Sequence, residues 1–155
     1  MVEKNKSNMI NGVKITNLKQ IIDDRGKIMH MLRKDSKNFK NFGEIYFSTI
    51  NYNYVKAWHL HKENTLNYAC IKGKVKLVLF DDRKNSLTKG KYQEIILSPD
   101  HPENYLLITI PTNIWNGFKG LDKPDSIIAN CLDFPHNENE MLRKDYLDQE
   151  FNYNW

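Results

Sequence analysis

Residues 65–80, TLNYACIKGKVKLVLF, have the pattern of two short apolar strands joined by the turn Lys72-Gly73-Lys74. Short runs rich in β-branched and aromatic residues, separated by tight turns, are typical of antiparallel β-proteins. The rest of the chain repeats this pattern, and helical periodicity is nearly absent. We therefore expect an all-β protein.

The same pattern predicts further strands along the chain, at residues 13–22, 27–32, 43–51, 57–61, 92–97, 105–110 and 126–132. Asp23-Asp24-Arg25-Gly26 is a predicted hairpin turn, and only residues 138–146 are predicted to form a short helix. No repeat or low-complexity linker divides the 155 residues. We expect a sandwich or jelly roll over residues 1–155 as a single domain, with the first ten residues frayed.

Charge and cysteine usage restrict the functional classes. The 23 basic and 19 acidic residues give a net charge of +4 that is scattered along the chain, which favours a phosphorylated small molecule over a nucleic acid. Cys70 and Cys131 lie in apolar segments without CxxC spacing, so we expect reduced, buried thiols and a cytoplasmic protein. The polar start does not resemble a signal peptide, and no apolar stretch is long enough for a membrane span.

The segment Lys56-Ala57-Trp58-His59-Leu60-His61-Lys62 is the strongest candidate for chemistry. Two histidines two positions apart in a strand face the same side of a sheet. Lys56 and Lys62 add cationic groups, and Trp58 offers an aromatic surface. The segment therefore offers a titratable base, cationic groups and an aromatic surface in one place, and function should be sought here first.

Several short motifs in a fixed order resemble the dTDP-4-dehydrorhamnose 3,5-epimerases of the cupin superfamily, which act on 4-keto-6-deoxy nucleotide sugars. The similarity implies a cupin-type double-stranded β-helix, or jelly roll, and a homodimer with exchanged N-terminal strands. The motifs, between Ile21 and Trp155, are Asp24-Arg25-Gly26, Glu44-Ile45-Tyr46-Phe47-Ser48, Lys56-Ala57-Trp58-His59, Cys70-Ile71-Lys72-Gly73, Asp81-Asp82-Arg83, Ile110-Pro111 and Asn116-Gly117-Phe118.

The resemblance implies roles for individual residues. His59 falls on the catalytic base, and Lys56 takes the position of an arginine that grips the substrate and would stabilise the enolate. Arg25 falls on an arginine that reaches the nucleotide phosphates from a neighbouring subunit. The remaining implied substrate-binding residues are Glu44, Tyr46, Ser48, His61, Asn116 and Phe118.

The chain departs from the family pattern at two catalytic positions. The tyrosine that donates a proton falls on Ala129, with Asn130 beside it, and the C-terminal aspartate that orients the base has no counterpart. Tyr46, Tyr68 and Tyr54 are candidate replacement acids. A cupin that binds a nucleotide sugar without turning it over is therefore an alternative.

A second resemblance concerns His59-Leu60-His61-Lys62, which is similar to the His-x-His-Lys motif of nucleotide-sugar 3,4-ketoisomerases. These small cupins move a ketone between adjacent carbons through an enediol. With both resemblances, the predicted activity is either that of an epimerase or that of a ketoisomerase.

Metal binding is the rival interpretation of a His-x-His pair in a cupin. Here the nearest acidic residue, Glu63, follows too closely, and the late loop offers Asn116 where a further histidine would be needed. We therefore predict no metal and no cofactor. His30, His101 and His136 are isolated in sequence and are expected in solvated loops.

Overall fold

Residues 9–155, which a computed structural model describes, form a succession of short strands with two 3-10 turns. The turns span Pro102–Asn104 and Glu138–Glu140. The strands are β1 (Lys14–Asn17), β2 (Gln20–Asp23), β3 (Gly26–Met29), β4 (Glu44–Asn51), β5 (Val55–His61), β6 (Leu66–Lys72), β7 (Val75–Phe80), β8 (Tyr92–Leu97), β9 (Leu106–Ile110), β10 (Trp115–Gly120), β11 (Asp125–Leu132) and β12 (Met141–Arg143).

Ten of these strands form two antiparallel five-stranded sheets. The first sheet has the order β1-β9-β6-β11-β4 and the second the order β12-β5-β10-β7-β8. The remaining strands, β2 and β3, pair only with each other as a hairpin. Neighbours in the sheets are mostly distant in sequence, which is the arrangement of a jelly roll.

The two sheets share one apolar core because alternate side chains of each strand face inward. Leu66, Tyr68 and Cys70 of β6 point into it from the first sheet, and Leu77 and Leu79 of β7 enter it from the second. All five side chains are buried. The all-β prediction is confirmed. The apolar residues that alternate along the strands in the sequence are the ones whose burial holds the two sheets together.

The predicted turn at Gly73 connects β6 to β7 and therefore crosses from the first sheet to the second. Gly73 has a φ of 74°, which side chains with a Cβ rarely adopt. A Cβ there would also lie 2.5 Å from Ser126 Oγ. Glycine is required by both the backbone angle and the space.

β10 is a strand that the sequence pattern did not predict. It lies between β5 and β7 in the second sheet, although Asn116-Gly117 has the composition of a turn. A Cβ at Gly117 would overlap the Cβ of Ala57 on β5. The glycine therefore permits close approach of two strands and does not mark a loop.

Residues 138–146 do not form the predicted helix. After the turn Glu138–Glu140, the chain continues as β12, which pairs with β5 so that Met141 lies opposite His61 and Arg143 opposite His59. The unpaired edge of β5 provides backbone partners that outweigh the weak local preference for a helix.

The N-terminal expectations also need correction. The predicted strand at 13–22 is divided, because β1 joins the first sheet through β9 while β2 leaves it for the hairpin. Ile10 is buried in the core, and its backbone N–H donates to Gln93 Oε1 at 2.8 Å, so Ile10 is not frayed. The rest of the predicted frayed segment, residues 1–8, lies outside the described residues.

Within residues 9–155, no helix has the length and apolar character needed to cross a membrane.

Replacing Leu77 by alanine should test the inter-sheet core. Leu77 is 0% exposed, so the truncation should lower the free energy of unfolding by about 2–5 kcal/mol through lost burial and a residual cavity. Leu87→Ala is the matched control because Leu87 is 90% exposed. Urea denaturation followed by tryptophan fluorescence would measure both, and equal destabilisation of the two variants would contradict this description of the core.

Candidate active site

A cavity of about 390 Å³ opens between the two sheets. β4, β6 and β11 of the first sheet form one wall, and β5, β10 and β12 form the other. Its lining is mainly polar and aromatic and consists of Tyr46, Ser48, Lys56, His59, His61, Tyr68, Phe118, Ile128, Asn130, His136, Met141 and Arg143. The cavity therefore collects six of the nine residues predicted to be catalytic or substrate-binding, together with Tyr68, a candidate replacement acid.

His61 of the cavity wall forms a buried pair with Glu140. His61 Nδ1 donates to Glu140 Oε1 at 2.5 Å, and both side chains are buried. An ionised carboxylate can only accept hydrogen bonds, so the proton of a neutral His61 lies on Nδ1. The other ring nitrogen, Nε2, keeps its lone pair for a ligand.

Glu140 is held as a carboxylate by several donors. Burial alone would raise the pKa of Glu140, but hydrogen bonds from the Glu63 backbone N–H, His61 and Asn64 outweigh it and lower the pKa to about 2. The Glu63 backbone donates to Oε2 at 3.0 Å, and Asn64 Nδ2 donates to Oε1 at 3.2 Å. The carboxylate is therefore negative throughout the physiological range.

His59 lies two residues away on the same strand in a different electrostatic environment. Burial lowers the pKa of His59 to about 4, and the charges of Arg143, His61 and Lys56 act in the same direction. No carboxylate contacts this ring among the hydrogen bonds of residues 9–155. His59 is consequently neutral at pH 7.

Two cationic side chains line the cavity near the histidines. Lys56 Nζ donates to Ser48 Oγ at 3.1 Å. Arg143 is held at the rim by Glu138, with a separation of 2.7 Å, and Glu138 also contacts the ring of His136. The cavity can therefore offer positive charge to an anion.

Two phenols stand on the wall formed by the first sheet. Tyr46 Oη accepts from Asn130 Nδ2 at 3.0 Å, and Tyr68 Oη donates to Asn116 Oδ1 at 3.2 Å. Asn130 lies directly opposite Tyr46 on β4 and Tyr68 on β6, so the three side chains form a row across adjacent strands. Tyr54, the third candidate acid, is 68% exposed outside the cavity.

Three residues predicted to contact the substrate lie elsewhere in this chain. Arg25 sits in the turn between β2 and β3, 90% exposed, and pairs with Asp23 at 2.7 Å. Glu44 accepts from the backbone N–H of His136 and does not line the cavity. Asn116 is fully buried and does not line the cavity. Its side-chain amide accepts a hydrogen bond from Tyr68 and donates one to the His59 carbonyl.

Trp58 does not provide an aromatic wall for the site. It lies on the outer face of the second sheet, where it stacks on Phe151 with ring centroids 4.5 Å apart. Phe151 belongs to the C-terminal segment that covers this face, and Trp115 packs in the same cluster. Strand alternation separates Trp58 from the neighbouring histidines.

Sequence reasoning missed Glu140 and Arg143, and it treated His136 as an isolated loop residue. All three lie on or just before β12, in and around the segment predicted to be helical. Glu140 meets His61 from 79 positions away. An acidic residue just before a short apolar pair was the only local signal, and it does not identify a partner.

No group of three or more His, Cys, Asp or Glu side chains in residues 9–155 is arranged to hold a metal ion. The absence of metal and cofactor remains a prediction.

The sequence and structure of this chain are similar to those of sugar-modifying proteins. A family model described as dTDP-4-dehydrorhamnose 3,5-epimerase matches residues 7–155. The chain is 36% identical to a dTDP sugar isomerase from Desulfovibrio desulfuricans, whose crystal structure superposes with a TM-score of 0.90 over 94% of this chain and 92% of the other.

Two further relatives carry names that refer to glycan synthesis. The "Probable low-salt glycan biosynthesis epimerase Agl13" of Haloferax volcanii is 30% identical, with 88% of this chain and 89% of the relative covered. The spore coat polysaccharide biosynthesis protein SpsL of Bacillus subtilis is 28% identical, with 95% and 97% covered.

The jelly roll and its histidine-lined cavity define a cupin-type sugar isomerase. The chain belongs to the dTDP-4-dehydrorhamnose 3,5-epimerase family. The predicted fold and the predicted isomerase class are confirmed, and nothing in the comparisons favours the non-catalytic alternative.

Replacing Glu140 by glutamine should expose the strength of the buried pair. The variant loses charge-assisted hydrogen bonds, so the free energy of unfolding at pH 7 should fall by about 2 kcal/mol. Because the folded pKa of Glu140 is depressed to about 2, its stabilisation is present above the unfolded pKa of about 4.3 and disappears as pH falls between these values.

The measurement is urea unfolding of wild type and Glu140→Gln from pH 7 to pH 3, in which the gap between them should close toward acid. Glu138→Gln is the control, because Glu138 is exposed and its ion pair contributes little. A gap that stays constant over this range would contradict an ionised, hydrogen-bonded Glu140.

Proposed function

We propose that this protein is an isomerase acting on a nucleotide-linked 4-keto-6-deoxy sugar through an enolate. The observation that carries the proposal is the pairing of His61, on one cavity wall, with the buried carboxylate of Glu140, while the phenol of Tyr46 lines the opposite wall. The membership of a family of sugar epimerases supports the same reaction class.

The chemistry requires a base beside an acidic C–H group. A 4-ketone acidifies the protons on C3 and C5, and a neutral imidazole can remove one of them. The imidazolium that forms on His61 would be stabilised by Glu140, whose carboxylate is already hydrogen-bonded and needs no rearrangement. His61 Nε2 is the nitrogen left for the substrate.

The family resemblance assigns the base to His59, and the local electrostatics favour His61. A proton on His59 would be opposed by Arg143, Lys56 and burial, whereas a proton on His61 would face Glu140. We therefore assign proton abstraction to His61. His59, neutral at pH 7, would donate or accept a hydrogen bond from the sugar.

The enolate oxygen would need positive charge nearby. Lys56 is on the same strand as both histidines, and Arg143 lies opposite His59 on β12. Either cation would be worth more in this partly desolvated cavity than in water. Ser48, which accepts from Lys56, and Phe118 complete the sugar-binding surface that we propose.

The nucleotide diphosphate would require a second subunit. Arg25 lies outside its own cavity at the tip of the hairpin formed by β2 and β3. The hairpin exposes Ile21, Ile22 and Ile28, with 44%, 68% and 62% of their surfaces free. We propose a homodimer in which this apolar hairpin packs on the other subunit and Arg25 meets the phosphates there.

The cellular role that we propose is synthesis of a surface polysaccharide or another deoxysugar glycan. The Haloferax and Bacillus relatives carry names from glycan and spore coat polysaccharide synthesis. The reduced cysteines Cys70 and Cys131, both buried, agree with the expected cytoplasmic location.

The direct test is proton NMR of dTDP-4-keto-6-deoxyglucose incubated with the protein in deuterated water, followed by its GDP and CDP counterparts. Deuterium at C3 or C5 with a new epimer supports the proposal and names the carbon. Exchange at C3 with a migrated ketone would instead identify a 3,4-ketoisomerase. Absence of exchange with all three nucleotides would overturn the proposed reaction.

His61→Asn and His59→Asn form a matched pair for the choice of base. His61→Asn should reduce kcat by about 10³-fold, as expected for loss of a general base, while the Kd for dTDP changes less than about tenfold. His59→Asn should retain exchange at the substrate carbon, because the base remains. The reverse pattern in the NMR assay would return the role of base to His59.

Arg25→Ala should weaken dTDP binding by about tenfold, because one charge-assisted contact to the phosphates is lost. The effect should shrink as salt rises. Arg33→Ala is the matched control, since Arg33 is also exposed and pairs with an aspartate two positions away. Isothermal titration calorimetry would measure both, and equal affinities for the two variants would leave Arg25 as an ordinary surface residue.

A further inference from the structure

We propose that Tyr46 is the proton donor of this site and that Asn130 is the positioning residue that aims its proton into the cavity. The inference rests on the proposed isomerase function and adds the group that completes it. It follows from the directions of the hydrogen bonds around two tyrosines.

Tyr46 stands on the wall opposite the proposed base. Tyr46 belongs to β4 in the first sheet, and His61 belongs to β5 in the second. Inversion of a carbon requires removal of a proton from one face of the sugar and delivery to the other. A sugar ring held between the sheets would present its two faces to these two side chains.

The amide of Asn130 can have only one orientation. Its Oδ1 lies 3.1 Å from the backbone nitrogen of Asn67, which can only donate. Its Nδ2 therefore faces Tyr46 and donates to the phenolic oxygen at 3.0 Å. Since Tyr46 is the acceptor of this bond, its own proton is not used by Asn130.

Tyr68, the other phenol in the cavity, is in the opposite situation. Asn116 Nδ2 donates to the carbonyl oxygens of His59 and Ile114, at 3.1 and 3.4 Å, and these can only accept. Asn116 Oδ1 is thereby left to accept the single proton of Tyr68. Both phenols line the cavity, but Tyr68 is only 5% exposed, whereas Tyr46 is half-buried.

The proton transfer balances with the groups in the cavity. His61 takes the proton as the C–H bond breaks, and the electron pair moves onto the ketone oxygen. The enolate carbon then forms a new C–H bond with the Tyr46 proton on its other face, which restores the ketone and leaves a phenolate. Water returns a proton to Tyr46 and accepts the one on His61.

The phenolate left on Tyr46 would be stabilised where it forms. Burial raises the pKa of Tyr46, and hydrogen bonding with Asn130 and with the neighbouring Tyr68 opposes this effect. Tyr46 is also within electrostatic reach of Arg143. The same Asn130 bond thus orients the acid and stabilises its conjugate base.

Tyr46→Phe should separate proton removal from the substrate carbon, which needs His61, from proton delivery to its other face, which needs Tyr46. Product formation should fall by at least about 100-fold, while deuterium exchange at the carbon facing His61 should stay within about tenfold of wild type. Tyr54→Phe is the matched control, because it removes an exposed phenol outside the cavity, and it should keep both rates within about tenfold. Binding of dTDP and the melting temperature would verify that both variants are folded.

Asn130→Asp tests the positioning role with an isosteric change. An aspartate would accept from both Asn67 and Tyr46, so the phenolic proton would turn away from the cavity. We expect the ratio of exchange to product formation to rise about tenfold or more. A merely structural effect on the cavity would lower both rates together and leave this ratio unchanged.

The outcomes are distinguishable from failure of the proposed function. Wild-type protein that neither exchanges nor converts the nucleotide sugars would overturn the function and this inference together. Active wild type with full product formation by Tyr46→Phe would overturn the inference alone. Loss of product by Tyr68→Phe with retention by Tyr46→Phe would transfer the role to Tyr68.

Discussion

The buried carboxylate of Glu140 is the constraint on which the site depends. An ionised carboxylate removed from water needs compensating donors, and here they come from His61, Asn64 and the Glu63 backbone. These donors lie at the end of β5 and in the connection to β6, whereas Glu140 precedes β12. Satisfying one charge therefore helps to fix the edge pairing of β12 on β5 and the orientation of His61.

This charge also makes two histidines on one strand face chemically different. His61 contacts a carboxylate, whereas His59 is surrounded by Arg143, Lys56 and His61 itself, and burial and these charges lower the pKa of His59 to about 4. Adjacent titratable groups in contrasting environments can take separate roles in one reaction. In the sequence His59-Leu60-His61 nothing distinguishes the two rings. The difference in their electrostatic environment comes from β12 and the turn before it, which place Arg143 opposite His59 and Glu140 beside His61.

The features that the sequence could predict are those that depend on local spacing. Alternation identified most strands, and a spacing of two was enough to bring His59 and His61 to one face. β10 was not predicted, because Gly117 allows a close contact with Ala57 of the neighbouring strand. Composition alone cannot distinguish such a glycine from one in a turn. Glu140 and Arg143 escaped because their partners are remote in sequence and their segment acquires its structure only by pairing with β5.

The departure from the family pattern at Ala129 acquires a physical meaning in the first sheet. Alternation points Ile128 and Asn130 into the cavity and turns Ala129 away from it, so position 129 cannot supply an acid in this register. Asn130 is the direct cross-strand neighbour of Tyr46 on one side and of Tyr68 on the other. A phenol on β4 therefore reaches the same patch of cavity wall that a residue of β11 would occupy. The backbone donor of Asn67 fixes the amide of Asn130, and the amide fixes the acceptor role of Tyr46. In the proposed mechanism, the proton donor Tyr46 would therefore stand on the strand next to β11, in the sheet that faces the base on β5.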